Sequence, residues 1–168
     1  RSSRDLYNKE IDEVMVEGEE GYRTAKDFMK MLMPSHAKNV KLHQDGQPLF
    51  AKYQVESYLA GMFNPTVQLK SGGYIVIGIT EALVAIDVNS GRTRTNGTDF
   101  EEIALKTNLE AAPEIARQIR LRDLGGIIVC DFIDMMRLGS RKQVEKALRE
   151  CLAEDRARSK VGRISQFG

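Results

Sequence analysis

The sequence has few of the residues that mark specialised structural classes. Its 168 residues include two cysteines, two histidines and four prolines. Cys130 and Cys151 lie apart in apolar surroundings and form no CxxC pair, so neither a disulfide framework nor a zinc site is indicated. We expect both to be small core residues. His36 and His43 are too isolated for a catalytic pair, and no P-loop, GxGxxG, GxSxG or HExxH motif is present.

The sequence also lacks a long hydrophobic run and an excess of one charge. No apolar stretch approaches the roughly 18 residues needed to span a bilayer, and the polar start RSSRDLYNKE does not resemble a secretory signal. The net charge of +1 gives no bulk indication of nucleic-acid binding, and 42% hydrophobic residues are ordinary for a globular protein. We therefore expect one domain or two small ones, no membrane segment and a cytoplasmic location.

Hydrophobic periodicity predicts a chain of mixed strands and helices, which is an α/β fold with mixed sheets. Apolar residues at three- and four-residue steps predict helices, and β-branched runs predict strands. The strand near the end, IIVCDFI, is so apolar that we expect it to be covered on both faces. Asp99 and Glu102 form a helix start signal, and Pro113 is expected near a helix start or a kink. The predicted strands are 10–16, 39–43, 66–69, the hairpin 74–79 and 82–88, and 127–133; the predicted helices are 22–33, 50–62, one from about 100, and a last one from about 140.

Two acidic residues interrupt apolar strands. Asp87 follows four apolar residues, and Asp131 lies inside IIVCDFI. A desolvated carboxylate is costly without a partner, so these positions suggest a site. Strand side chains alternate, which places Asp87 and Asn89 on one face. If the two strands are neighbours, the oxygen ligands suit magnesium; the alternative is that these acids only cap turns.

Basic residues follow both acidic segments. Arg92 and Arg94 come soon after Asn89 and could hold substrate near an ion. A tail without acids carries Arg156, Arg158, Lys160 and Arg163, which could follow a phosphate backbone. The alternative is that the tail is a solvated surface segment.

Three stretches together resemble the catalytic core of the ribonuclease E/G family of bacterial endoribonucleases. They are SGGYIVIGITEALVAIDVNSGR, EEIALKTNLEAAPEIARQIRLRDLGGIIVCDFIDM and EDRARSKVGRISQFG, which are collinear over residues 66–168. The earlier LFAKYQVESYLAGMF is similar to the segment before this core. The resemblance implies that Asp87 and Asp131 bind a catalytic Mg²⁺ and that Asn89 positions the site.

The resemblance also implies a domain organisation. Residues 1–62 would form an RNase H-like structural subdomain, and residues 63–168 a DNase I-like catalytic subdomain. Family members also have an OB-fold RNA-binding domain, a 5′-monophosphate sensor, a cysteine pair that links protomers through zinc, and a small dimerisation domain. No segment of the given sequence resembles any of these additional parts.

We therefore expect a magnesium-dependent endoribonuclease core that cuts single-stranded, A/U-rich RNA to 5′-phosphate and 3′-hydroxyl ends. Arg92, Arg94, Arg156, Arg158 and Arg163 are its candidate RNA-binding residues. In a longer form, a homo-oligomer and proteins of the RNA-degradation machinery are expected partners. The alternative is a weakly active or inactive platform with the same fold that binds RNA or proteins.

Overall fold

The computed structural model describes residues 7–8, 10–91, 99–155 and 157–168. It contains helices and mixed sheets, which confirms the predicted α/β class. No helix within these ranges is long and apolar enough to cross a membrane. The chain divides into two compact units, Arg1–Gly61 and Met62–Gly168. The expected boundary between residues 62 and 63 lies beside this division, whereas the RNase H-like and DNase I-like assignments stay predictions.

The N-terminal unit is built around a two-stranded parallel sheet and one long helix. In the sheet, Val14 pairs with Val40. Met29 of the helix is 1% exposed and packs with Ala37 and Val40, which gives this unit its own small core. The elements are β1 (Val14–Glu17), α1 (Glu19–Leu32), a 3₁₀ helix (Pro34–Asn39), β2 (Val40–His43), α2 (Leu49–Lys52) and α3 (Val55–Gly61).

The C-terminal unit contains a four-stranded sheet in the order β3-β4-β5-β6. The first two pairings are antiparallel, and β5 and β6 are parallel because helix α4 crosses over between them. The Asp99 side chain accepts a hydrogen bond from the Glu101 amide at 3.1 Å, so α4 begins where the sequence predicts. The elements are β3 (Thr66–Gln68), β4 (Tyr74–Ile79), β5 (Val84–Asn89), α4 (Phe100–Leu121), β6 (Ile128–Asp131) and α5 (Leu138–Ala153).

The two faces of this sheet differ in what covers them. Inward residues such as Ile75, Ile86 and Val88 pack against α4 and α5, and Ile75, Ile86 and Ile115 are 0% exposed. The alternate residues point the other way and are exposed or half-buried. We call this second surface the open face; its residues are Thr66, Gln68, Tyr74, Val76, Gly78, Ala85, Asp87, Asn89, Val129 and Asp131.

Two local predictions are wrong. The first is the helix predicted over 50–62, which is two short helices because Gln54 adopts a left-handed φ of 57° between them. Pro113, expected near a helix start or a kink, lies well inside the single helix α4. Flanking residues Ala112 and Ile115 are fully buried, so tertiary packing offsets the hydrogen bond that proline cannot donate.

The second error concerns the strand predicted over 127–133, which is shorter and covered on one face only. Ile128 and Cys130 pack inward, whereas Val129 is 48% exposed. The apolar run therefore belongs to a half-buried strand at the edge of the sheet.

Candidate functional site

The two acids predicted to form a site lie directly opposite each other on neighbouring strands. The parallel register pairs Asp87 of β5 with Asp131 of β6. Neighbouring strands are about 4.8 Å apart, and paired residues in a sheet point to the same face. Both carboxylates therefore project side by side from the open face. The condition on which a shared cation depends, adjacency of these two strands, is met.

The expectation that these carboxylates are desolvated is wrong. Both Asp87 and Asp131 are exposed, because strand alternation sends Ile86 and Cys130 into the core and turns the acids outward. Solvent access is compatible with a cation that keeps several of its waters. Strand register places the two acids side by side, and because both are exposed to solvent, no buried charge has to be compensated.

Asn89 lies on the same face and contacts one member of the acid pair, Asp87. Its side-chain Nδ2 donates a hydrogen bond to Asp87 Oδ2 at 3.0 Å. This bond fixes the orientation of the carboxylate and leaves the amide oxygen of Asn89 available to another donor. Among the residues that the structure describes, no lysine, arginine or histidine makes an ion pair with either acid.

Glycines let the backbone around Asn89 pack closely against the turn between β3 and β4. A Cβ at Gly73 would lie 2.7 Å from the Asn89 carbonyl oxygen. Gly91 has a φ of +66°, and a Cβ there would lie 2.5 Å from the Gly72 carbonyl oxygen. Any larger residue at these positions would push the end of β5 away from the turn. These glycines therefore hold Asn89 in place.

A buried amide on α4 braces the segment that follows Asp131. Asn108 is 0% exposed; its Nδ2 donates to the Ile133 carbonyl at 2.8 Å, and its Oδ1 accepts from the Ile133 amide at 3.0 Å. The sequence analysis missed this residue. The available signal was a polar side chain on the inward face of the helix, four residues after the buried Ala104.

A second brace from α4 uses a carboxylate. Glu101 accepts hydrogen bonds from the amides of Met136 and Arg137 at 2.8 and 3.0 Å. Burial opposes ionisation of Glu101, but hydrogen bonds from Ser140 and from these two amides outweigh it and lower the pKa. The loop between β6 and α5 is thus anchored to α4 at two places.

The acid pair lines a cavity of about 980 Å³ whose other side is the C-terminal tail. Arg158 and Arg163 are exposed and line the same cavity, so the structure brings these two candidates to the acids. Arg92, Arg94 and Arg156 lie outside the described residues.

The tail that carries these arginines is tied to the rest of the unit. Val161 and Ile164 pack against the core, and the Ile164 amide donates to Glu145 Oε1 at 2.7 Å. The Phe132 amide donates to the Gly168 carbonyl at 3.0 Å. The tail segment that carries Arg158 and Arg163 is therefore part of the folded C-terminal unit.

The cysteines are not assigned a chemical role, although Cys130 also lines this cavity. Cys130 and Cys151 pack against the core, as predicted, and burial raises the pKa of the Cys130 thiol to about 11. His36 bonds to the Tyr7 hydroxyl at 2.6 Å in the N-terminal unit. Within the described ranges, no group of three or more histidine, cysteine, aspartate or glutamate side chains could hold a metal. A cation at this site would be coordinated by the carboxylates of Asp87 and Asp131, with the side-chain amide of Asn89 beside them.

Comparison with known proteins gives one consistent result. The model of the Ribonuclease E/G family matches residues 1–168. Ribonuclease E of Haemophilus influenzae is 49% identical over 168 residues, which is 100% of this chain and 18% of that protein. Ribonuclease E of Escherichia coli is 47% identical over 169 residues, which is 100% of this chain and 16% of that protein.

A more distant relative shows the same pattern. Ribonuclease G of Escherichia coli is 34% identical over 168 residues, which is 100% of this chain and 34% of that protein. The chain therefore spans about a third or less of the length of these relatives.

Proposed function

This chain belongs to the Ribonuclease E/G family, and from this we propose that it forms a magnesium-dependent endoribonuclease core. Its substrate is single-stranded, A/U-rich RNA, which it hydrolyses to 5′-phosphate and 3′-hydroxyl ends during RNA processing and decay. A strand without secondary structure suits the site because its backbone is free to approach the carboxylates.

The register of β5 and β6 is the observation that carries the proposal. Like charges directly opposite on neighbouring strands destabilise a sheet. Asp87 and Asp131 are such a pair, and no described cationic side chain makes an ion pair with either of them. Carboxylate oxygens are ligands that magnesium prefers, and exposure leaves room for its waters. A divalent cation held by both acids would remove the repulsion, so the residues present fit the ion.

The chain's own residues then have distinct roles. Magnesium, when bound, supplies charge neutralisation and lowers the pKa of a water for attack at a phosphodiester. Asp87 and Asp131 hold the ion, and Asn89 fixes the orientation of Asp87 through its amide. Arg158 and Arg163 face the same cavity, where their guanidinium groups are suited to pair with phosphate oxygens of the strand.

A cleavage assay with matched substitutions tests this proposal. The purified chain is incubated with a fluorescent, 5′-monophosphorylated A/U-rich oligonucleotide in Mg²⁺ and in EDTA. We expect cutting in Mg²⁺ only. Asp87→Asn and Asp131→Asn should each lower the rate at least about 100-fold, because several kcal/mol of charge stabilisation are lost. The control Asp123→Asn, which changes an exposed acid of the same unit, should cut normally.

Two outcomes would count against the enzyme. Cutting that survives both substitutions at the acid pair would come from a contaminating nuclease. RNA binding without chelator-sensitive cutting would support the alternative, a platform for RNA or protein.

The wider setting rests on the family resemblance. A cytoplasmic location, a homo-oligomer in a longer form and association with proteins of the RNA-degradation machinery remain predictions.

A further inference from the structure

An aromatic side chain lies on the open face next to the acid pair. The antiparallel register of β4 and β5 pairs Tyr74 with Asn89 and Val76 with Asp87. Directly opposite residues have Cβ atoms about 4.5–5.5 Å apart, and diagonal neighbours are roughly 7–8 Å apart. Tyr74 is therefore beside Asn89 and one diagonal step from Asp87.

Tyr74 is half-buried and makes no polar or ring contact with the described residues. Within them its hydroxyl makes no hydrogen bond, and its ring makes no aromatic or cation contact. The tyrosine rings that do have such contacts are Tyr7 and Tyr22, in the other unit. A flat ring with a polar tip is thus partly exposed on the surface that carries the acids.

We propose that Tyr74 is an RNA-binding residue whose ring stacks on a base of single-stranded RNA, beside the phosphate that contacts the ion proposed for Asp87 and Asp131. The inference rests on the proposed function and extends it to how the site selects its substrate. A base adjacent to that phosphate needs to reach only across Asn89. Sheet surfaces with exposed aromatic residues bind single strands in this way, and each stacked base contributes about 1–3 kcal/mol.

Stacking at this place selects against paired RNA. A base inside a duplex is already stacked on its neighbours and cannot lie on the open face while its phosphate is at the acids. Tyr74 would therefore favour unpaired strands without reading their sequence, because every base has a flat face.

The test uses RNA that carries the fluorescent base 2-aminopurine at successive positions around the cleavage site. Binding is measured with Ca²⁺ in place of Mg²⁺, and cleavage is measured separately with Mg²⁺. We expect quenching of 2-aminopurine at one position. Tyr74→Leu should remove this quenching and weaken binding about 10-fold, which corresponds to about 1.4 kcal/mol. Tyr74→Phe keeps the ring and should behave like the unsubstituted chain.

The control Gln68→Leu changes the open-face residue paired with Tyr74 on its other side. It should leave the quenching intact, which separates stacking from a general disturbance of this face. In cleavage, Tyr74→Leu should raise KM with little change in kcat, because a base contact is made before and during the reaction.

The outcomes distinguish this inference from the proposed function. Suppose that Tyr74→Leu shows the same 2-aminopurine quenching and the same RNA affinity as the unsubstituted chain, while cleavage still depends on Asp87. The stacking role is then rejected, and the proposed nuclease function is retained. An equal loss in Tyr74→Phe and Tyr74→Leu also rejects stacking, since the hydroxyl is then the active group. If the unsubstituted chain neither binds nor cuts RNA, the proposed function fails and this inference fails with it.

Discussion

Replacing Asn108 by alanine should destabilise the C-terminal unit strongly. The substitution removes both hydrogen bonds to Ile133 and leaves its amide and carbonyl without their partner. Each buried polar group left unsatisfied costs about 1–3 kcal/mol. Alanine is a better helix former than asparagine by about 0.5 kcal/mol, which offsets a small part of the loss. We therefore expect the free energy of unfolding to fall by about 2–4 kcal/mol.

Urea unfolding followed by circular dichroism measures this change. With a slope of about 2 kcal/mol per molar urea, the midpoint should fall by about 1–2 M. The control Lys106→Ala removes an exposed side chain from the same helix and should change stability by less than about 0.5 kcal/mol. Equal midpoints for Asn108→Ala and Lys106→Ala would refute the idea that this amide braces the segment after Asp131.

Three further predictions follow from the glycines, the buried thiol and the basic tail. Gly73→Ala places a methyl group 2.7 Å from the Asn89 carbonyl oxygen, so we expect a loss of about 1–3 kcal/mol; an unchanged melting temperature would contradict that close approach. Burial raises the pKa of Cys130 from 9.0 to about 11, so the unfolded chain loses this proton first and stability falls as the pH rises through that interval. Urea titrations at both ends of the interval should show a smaller fall for Cys130→Ala, and equal falls would rule out this contribution. Replacing Arg158 and Arg163 together by alanine should flatten the dependence of log Kd on log salt by about 1.4 for single-stranded RNA; an unchanged slope would show that the tail does not follow the phosphates.

Local pattern was enough to predict one half of the site. The two-residue period of a strand places Asp87 and Asn89 on one face, and the hydrogen bond between them agrees. The pairing of Asp87 with Asp131 depends on which strands are neighbours. A whole helix separates these strands in the chain, so local pattern could state that pairing only as a condition, and the family resemblance supplied the rest.

Burial was harder to predict than secondary structure. The run IIVCDFI is almost entirely apolar, yet Ile127 and Val129 are 66% and 48% exposed, because Ile127 precedes β6 and Val129 points to the open face. Composition does not say which face of a sheet the helices cover. Asn108 was missed for a related reason. Its role is to hydrogen-bond Ile133, and only the tertiary fold brings that backbone segment to α4.

The parallel pairing of β5 and β6 also governs when the site can exist. Parallel neighbours need a long crossover, and contacts between residues distant in sequence form late and slowly. Asp87 and Asp131 therefore come together only after α4 has closed over the sheet. A nascent or misfolded chain would present two separate aspartates. If the pair binds the proposed ion, faulty folding would therefore give an inactive polypeptide and not an unregulated nuclease.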